Sequence, residues 1–210
     1  MELTKTLLPA RATADGTHRK LLEEALVLFG ERGFHGVSVR EIAEAAGIRA
    51  SSVYAHIESK EQLLSQLVTI GHEEHHDLLR RALLEASADP VDQITRIMRA
   101  HVYLHATYPL LARICNRELE ALGAGSRERV MDVRNRSVQL ITDVIDRGMK
   151  MGVFHVAEEW LATAATAAMG MRVAEWWDDA LGYSVEQVAD AYATFAVRLL
   201  TSERSAPPAV

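Results

Sequence analysis

The most conspicuous chemistry in the 210-residue chain is His72-Glu73-Glu74-His75-His76. Two imidazoles four residues apart share one face of a helix, where they can hold zinc while the Glu acts as general base on a metal-bound water. A zinc metallohydrolase using His72, Glu73 and His76 is therefore one reading. His101 and His105 repeat the spacing, so a metal-sensing cluster facing His72 and His76 is another. Against both, the pattern is short, Glu74, His75 and Asp77 keep the helix polar on most sides, and no third-ligand signature follows. A solvated, histidine-rich face with one or two buried rings is the plainer reading. The expectation is a protein that is not an enzyme, with no catalytic residue, no metal and no cofactor. Cys115 is the single cysteine, which excludes an intramolecular disulfide and a Cys-based zinc site. It reads as a buried small hydrophobe in a chain of the reducing cytosol. Arg113 and Arg117, with Arg134 and Arg136, form helical basic pairs that are either a solvated face or a cradle for a carboxylate or phosphate.

A second constellation lies nearer the N-terminus. Arg49, Ser51, Ser52 and Tyr54 are hydrogen-bond donors of groove or phosphate size, placed just after a tight turn at Gly47. Ala43, Ala46, Ile48 and Val53 supply the small and branched packing that two short helices need across such a turn. A short helix, a turn and a second short helix form the supersecondary unit that places its later helix in the DNA major groove. The competing reading has Tyr54 and His56 packed beneath the third helix.

These residues must be positioned by helices, and the prolines show where helices are possible. Pro9, Pro90, Pro109, Pro207 and Pro208 leave two long proline-free stretches with 3.6-residue apolar spacing and no alternating β-branched runs. The class is all-α, with about nine helices. Thr17 or Asp15 caps a first helix to about Arg32, ended by Gly33. Ser38 to Glu41 is a capping box opening a short helix that Gly47 ends, and a third helix covers about Ala50 to His56. Ser59 to Gln62 opens a long helix to about Ser87, and Asp89 caps a fifth whose first residue is Pro90. Helices over Tyr108 to Leu122, from Ser126 to Gly148 or Gly152, and from Ala157 to Leu181 follow. Ser184 to Gln187 opens the last, which ends near Ser202. The domains expected are a flexible arm over 1–16, which is either an inert tail or, through Arg11 together with Arg19 and Lys20 just beyond it, a minor-groove contact; a three-helix head over 17–64; a helical body over 65–202; and a loose tail over 203–210.

Net charge is −6 with 49% hydrophobic residues, values that taken whole point away from nucleic acid and from anionic membranes. The distribution reverses that inference. Residues 1–60 carry 8 Lys+Arg and 8 Asp+Glu, so the entire −6 lies in the remaining 150 residues. A neutral head with its basic groups at contact positions can bind phosphate, while an acidic body discourages binding by the wrong face. The first residues lack a signal-peptide pattern, and the longest apolar stretch, Trp160 to Ala174, is interrupted by Thr163, Thr166 and Arg172. A cytoplasmic chain with no membrane partner is expected.

Read as strings, Leu22 to Phe34, Gly36 to Ile48 and Val53 to Leu64 resemble the first, second and recognition helices, with the start of the fourth, of the TetR family of transcriptional repressors. That likeness implies an N-terminal helix-turn-helix domain and a C-terminal ligand-binding and dimerisation domain. It implies a homodimer on double-stranded, pseudo-palindromic operator DNA, released by a small-molecule inducer. Ser38, Arg40, Tyr54, His56 and Lys60 stand at positions that grip the DNA backbone, and Arg49, Ser51 and Ser52 face base edges. Arg49 replaces a common capping Ser or Thr, Ala55 a basic residue and Ile57 a Phe.

In the body, the small-residue run around Ala164, Ala165 and Ala168 meets a stripe of Val188, Ala191, Tyr192, Phe195 and Leu199 on the last helix. The resemblance makes these the dimer interface, with an intrachain core as the plainer alternative. An inducer pocket is implied with walls from Tyr103, Leu104, Leu111, Met131, Trp176 and Trp177 and anchors from Arg113, Arg117 or Arg172, although each is equally a plain core residue. The stretches around Arg117 to Leu119, Gly148 to Phe154 and Trp176 to Ser184 resemble relatives that sense acyl-CoA or steroid-acid CoA esters. An acyl-CoA-type thioester is the first inducer class, and a hydrophobic drug-like molecule the second.

Overall fold

The computed structural model describes residues 7–12 and 16–202. Among them, the elements are α1 (Gly16–Arg32), α2 (Val39–Ala45), a 3-10 turn (Ala50–Ala55), α3 (Lys60–Leu84), α4 (Pro90–Thr107), α5 (Pro109–Arg117) and a 3-10 turn (Leu119–Ala121). There follow α6 (Ala124–Lys150), α7 (Glu159–Met171), α8 (Val173–Trp176), a 3-10 turn (Asp179–Leu181) and α9 (Val185–Thr201), with no strand among the described residues. No described helix is long and apolar enough to cross a membrane. The all-α class holds.

Two compact units emerge. One comprises the described residues up to His75 together with Thr107–Arg134; the other comprises His76–Ala106 and the described residues from Asn135 on. The boundary falls inside α3 and α6, so these packing units and the head at 17–64 are different divisions of the chain.

In the first unit, Leu21, Leu22, Ala25, Leu26 and Phe29 line the inner face of α1 and join Ile42, Ala43, Ala46, Val53, Ile57, Leu63, Leu64 and Leu67 in one core. Ser38 caps α2 in a complete box with Glu41. The turn at Gly47 (φ +69°) closes with Ile48 N–H donating to the Ala43 carbonyl at 2.8 Å, a backbone shape that favours glycine. The third element is a 3-10 turn and not the α-helix expected. Arg49 at its start makes no side-chain cap, and Ser51 and Ser52 are poor helix formers, so the last turn tightens.

The expected arm is also corrected where it is described. Leu8 and Ala12 are buried in the same core, and Arg19 donates to the Ala12 carbonyl at 2.7 Å and to Glu23 at 2.9 Å. Arg11 sits 3.6 Å from Glu74. Neither arginine reaches outward, because burying Leu8 ties the segment down. Residues 1–6 and 13–15, including the candidate cap Asp15, lie outside the described residues, as does the tail from 203.

The second unit is built on Leu79, Ile94, Ile97, Met98, Ile141, Val144, Ile145, Phe154 and Leu200, with a smaller cluster of Val102, Ala106, Val173, Trp177, Val188 and Ala189. Asp89 caps α4 by accepting from Val91 N–H at 2.9 Å, with Pro90 in the first turn. Ser184 and Gln187 complete the box on α9. The single helix expected from Ala157 to Leu181 is broken. After Arg172 a one-turn α8 follows, and Trp177 leaves the helix so that its ring is buried while its indole N–H donates to the Tyr183 carbonyl at 3.2 Å. Burial of a large aromatic outweighs one continued turn of helix. Similarly α5 stops at Arg117, and α6 begins at Ala124, two residues before Ser126.

Candidate nucleic-acid interface

The head presents its donors because two branched residues hold the third element from beneath. Val53 and Ile57, four apart, are buried at 1% and 2% exposure. Arg40, Arg49, Ser51, Ser52, Tyr54 and His56 are all exposed, Tyr54 at 66%. Packing of Tyr54 and His56 beneath the helix is therefore excluded. What remains outward is a strip of guanidinium, hydroxyl, phenol and imidazole groups along one short turn and the start of α2, chemistry suited to phosphate oxygens and base edges.

Two of the expected contacts are engaged elsewhere. The Ser38 hydroxyl donates to Glu41 Oε2 at 2.7 Å and accepts from Glu41 N–H at 3.3 Å. That hydrogen bond, with help from the Ser38 amide and from Arg32 at 2.8 Å, holds the exposed Glu41 carboxyl down at about 2. Lys60 Nζ donates to the Phe34 carbonyl at 2.9 Å and to the Val37 carbonyl at 2.8 Å, and lies 4.2 Å from the Phe34 ring centroid. The ammonium thus ties the α1–α2 connection to the start of α3. Its expected part as an outward phosphate contact is corrected to that of a brace, since two of its three protons are directed inward.

Sequence reasoning missed His18. Its Nδ1–H donates to the His56 carbonyl at 3.0 Å, and Nε2 lies 2.8 Å from the Gln66 side-chain amide. The ring links α1, the residue that follows the Ala50–Ala55 turn and α3. No local signal marks it, because its partners lie 38 and 48 residues away.

Of the histidines in the two motifs, His72, His101 and His105 are buried and His76 is half-buried. His72 is buried with no hydrogen-bond partner for Nε2 among the described residues, and burial, then the Arg134 charge, lowers its pKa to about 4. Glu73 is exposed and lies 3.9 Å from Arg11. His76 has Nδ1 3.4 Å from Ser137 Oγ, and burial lowers its pKa. His101 Nε2–H donates to the Ala167 carbonyl at 2.9 Å, and His105 Nδ1–H to the His101 carbonyl at 2.8 Å. Among the described residues no group of three His, Cys, Asp or Glu comes together to hold a metal ion. Cys115 is buried, and burial pushes its thiol up to about 12.

Of the expected pocket residues, Leu111, Arg113, Arg117 and Met131 belong to the first unit and Tyr103, Leu104, Arg172, Trp176 and Trp177 to the second. Leu111 is buried against Gly71, and the buried Arg113 Nε meets no hydrogen-bond partner among the described residues. Arg117 and Arg172 are exposed. Tyr103 is 45% exposed, and Trp176 stacks on Tyr192 with centroids 6.2 Å apart, so neither ring is enclosed as a pocket wall requires. Trp177 is core. On the expected dimer surface Ala164, Ala165, Ala168, Phe195 and Leu199 are exposed and Ala191 and Tyr192 half-buried. Val188 is corrected, because it is buried within its own unit. Trp160 and Leu161, each 64% exposed, extend the same apolar surface of α7.

The fold and this outward strip define a helix-turn-helix protein of the DNA-reading kind. Residues 21–67 match the family described as bacterial regulatory proteins, tetR family, and residues 87–200 the tetracyclin repressor-like C-terminal domain. The chain belongs to the tetR family and is a TetR-type DNA-binding transcriptional regulator. It is 28% identical over 136 residues to the transcriptional repressor KstR2 of Mycobacterium tuberculosis, covering 64% of this chain and 68% of that one. The solved structure of the ketosteroid regulator KstR2 superposes with a TM-score of 0.82 at 22% identity, covering 90% and 97% of the two chains. PfmR of Thermus thermophilus gives 0.77 at 28% identity over 88% of this chain and 100% of that one. AibR, solved with isovaleryl coenzyme A and operator DNA, gives 0.77 at 22% identity over 90% and 100%.

Proposed function

We propose that the chain is a cytoplasmic repressor without catalytic activity that binds a pseudo-palindromic operator as a homodimer and is released by a small-molecule inducer. The observation that carries this reading is the outward display of Arg49, Ser51, Ser52 and Tyr54 above the buried Val53 and Ile57. Arg49, Ser51 and Ser52 read base edges, while Arg40, Tyr54 and His56 hold the phosphates; Ser38 and Lys60 act by fixing the backbone that presents them. The exposed apolar surface of α7 and α9, from Ala164, Ala165 and Ala168 through Ala191 and Tyr192 to Phe195 and Leu199, is the two-fold interface, which sets the spacing of the two reading elements. The inducer is an acyl-CoA-type thioester, a class supported by the isovaleryl coenzyme A bound to AibR.

Selection of bound genomic fragments, followed by anisotropy titration of the recovered operator with and without a series of acyl-CoA thioesters, tests this. Tyr54→Ala and Arg49→Ala are expected to weaken operator binding, the latter by about 1–3 kcal/mol and mainly at one base position. Full operator affinity in the double variant would sink the assignment of the strip. Unchanged operator affinity across the thioester series would remove the inducer class.

A further inference from the structure

Beside the reading element the first unit holds a cavity of about 500 Å³, in the size range of small-molecule sites. Its polar lining is Arg11, His18, Ser65, Gln66, Thr69 and Arg129. None of the residues assigned above to the inducer pocket contributes. Ser65, Gln66 and Thr69 lie on one face of α3, His18 comes from the first turn of α1, and Arg129 from α6. Ala12, Leu22 and Ile70 complete the lining with apolar surface.

The chemistry of this lining is one-sided. Among the described residues it carries two guanidiniums and two hydroxyls and no carboxylate. Arg11 is balanced from outside the lining by Glu73 and Glu74, at 3.9 and 3.6 Å. Arg129 differs: it is exposed, its Nη2 donates to Ser126 Oγ at 3.1 Å, and among the described residues it meets no carboxylate within 4.0 Å. A planar cation with donors to spare, next to hydroxyls and an apolar patch, suits a small organic anion with a short hydrocarbon part. The wall of the cavity is also mechanically significant. His18 and Gln66, which line it, are the side chains that connect the His56 carbonyl to α3.

We propose that this cavity is a second effector site, for a carboxylate or phosphate monoester bearing a short aliphatic chain, coupled to the reading element through His18 and Gln66. Arg129 takes the anionic head, Ser65 and Thr69 donate to it, and the chain lies on Leu22 and Ile70. An anion that draws the Gln66 amide or the His18 ring toward itself changes the support of His56, so occupancy alters operator affinity, and by reciprocity operator binding alters ligand affinity.

The test is calorimetric titration of the full-length protein with hexanoate and, separately, with hexyl phosphate, which share a chain and differ in head. Saturable binding of either supports the site and names the head. Arg129→Gln removes the charge at an exposed position and is expected to weaken that binding at least about tenfold. Thr69→Trp fills the cavity and should abolish binding, with thermal unfolding verifying that the variant is folded. In anisotropy titrations, saturating ligand should shift the operator Kd of the wild-type protein about fivefold or more and that of Arg129→Gln less than about twofold. No saturable binding of either compound, or equal affinity in wild type and Arg129→Gln, overturns the site. Binding that depends on Arg129 but leaves operator affinity unmoved overturns the coupling. Because calorimetry needs no DNA, failure of the operator assignment is read separately.

Discussion

Replacing Lys60 by Met keeps the length and apolar stem of the side chain and removes the ammonium. In the structure that ammonium makes hydrogen bonds of 2.9 and 2.8 Å to the Phe34 and Val37 carbonyls and stands 4.2 Å from the Phe34 ring centroid. Hydrogen bonds from a charged donor contribute roughly 1.5–3 kcal/mol each, and a partly exposed cation–π contact about 0.5–1 kcal/mol. Lys60 is half-buried, so water replaces part of what is lost, and a net destabilisation of about 2 kcal/mol is expected. Urea unfolding followed by circular dichroism, at fixed protein concentration, measures it. Operator titrations across a salt series run in parallel, since a lost phosphate contact lowers the slope of log K against log salt by about one per protomer. The brace predicts lower stability, with operator affinity reduced by no more than loosening of the head explains. A Lys60→Met protein as stable as wild type, with a salt slope reduced by one per protomer, would refute the brace and restore the outward contact.

Three further outcomes follow from the packing. His72 and His101 are both lowered by burial to about 4 from 6.5, so only the unfolded chain takes up their protons as pH falls below 6.5. Stability is therefore full above pH 6.5 and declines toward pH 4, by roughly 2 kcal/mol per histidine between pH 7 and 5, and His101→Phe should remove its share; an identical decline in that variant contradicts the assignment. A Cβ at Gly71 would lie 2.3 Å from Cys115 Sγ, so Gly71→Ala should destabilise by about 1–3 kcal/mol, with partial recovery in the Gly71→Ala, Cys115→Ala double variant by urea unfolding. Phe195 is 50% exposed on α9, and Phe195→Arg should give a folded monomer by analytical ultracentrifugation, with operator affinity at least about tenfold lower; a stable dimer would move the interface elsewhere.

Features that depend on neighbours within four residues were legible from the residue string. The boxes at Ser38 and Ser184, the Asp89 cap and the glycine stops at Gly33 and Gly47 form where expected, whereas Gly182, expected to end a long helix, closes only the 3-10 turn Asp179–Leu181. The box at Ser59 forms only in part, since Gln62 N–H donates to Ser59 Oγ while the Gln62 side chain accepts from Glu58 N–H at 2.8 Å. The all-α class and the turn that presents Arg49 to Tyr54 were equally readable, because apolar spacing and caps are local. Less legible was the body. Trp176 and Trp177 are adjacent and chemically alike, yet one stacks on Tyr192 on an exposed face and the other is buried with Val102 and Val188.

The sequence by itself determined the helical class, most of the caps and the Gly47 turn that leads into Arg49, Ser51, Ser52 and Tyr54, since hydrogen bonds along a turn and a 3.6-residue apolar period depend on local order alone. Tertiary structure decided which functional groups are spent inside the protein. Lys60 is turned inward by carbonyls 26 and 23 residues away, and His18 joins partners 38 and 48 residues away. The Phe34 amide, for its part, donates to Glu118 across 84 residues. No local rule anticipates such pairings, because buried polar groups take whichever partner packing brings within reach. The same packing placed Leu8 in the core instead of in a free arm, and broke the helix after Met171 to bury Trp177.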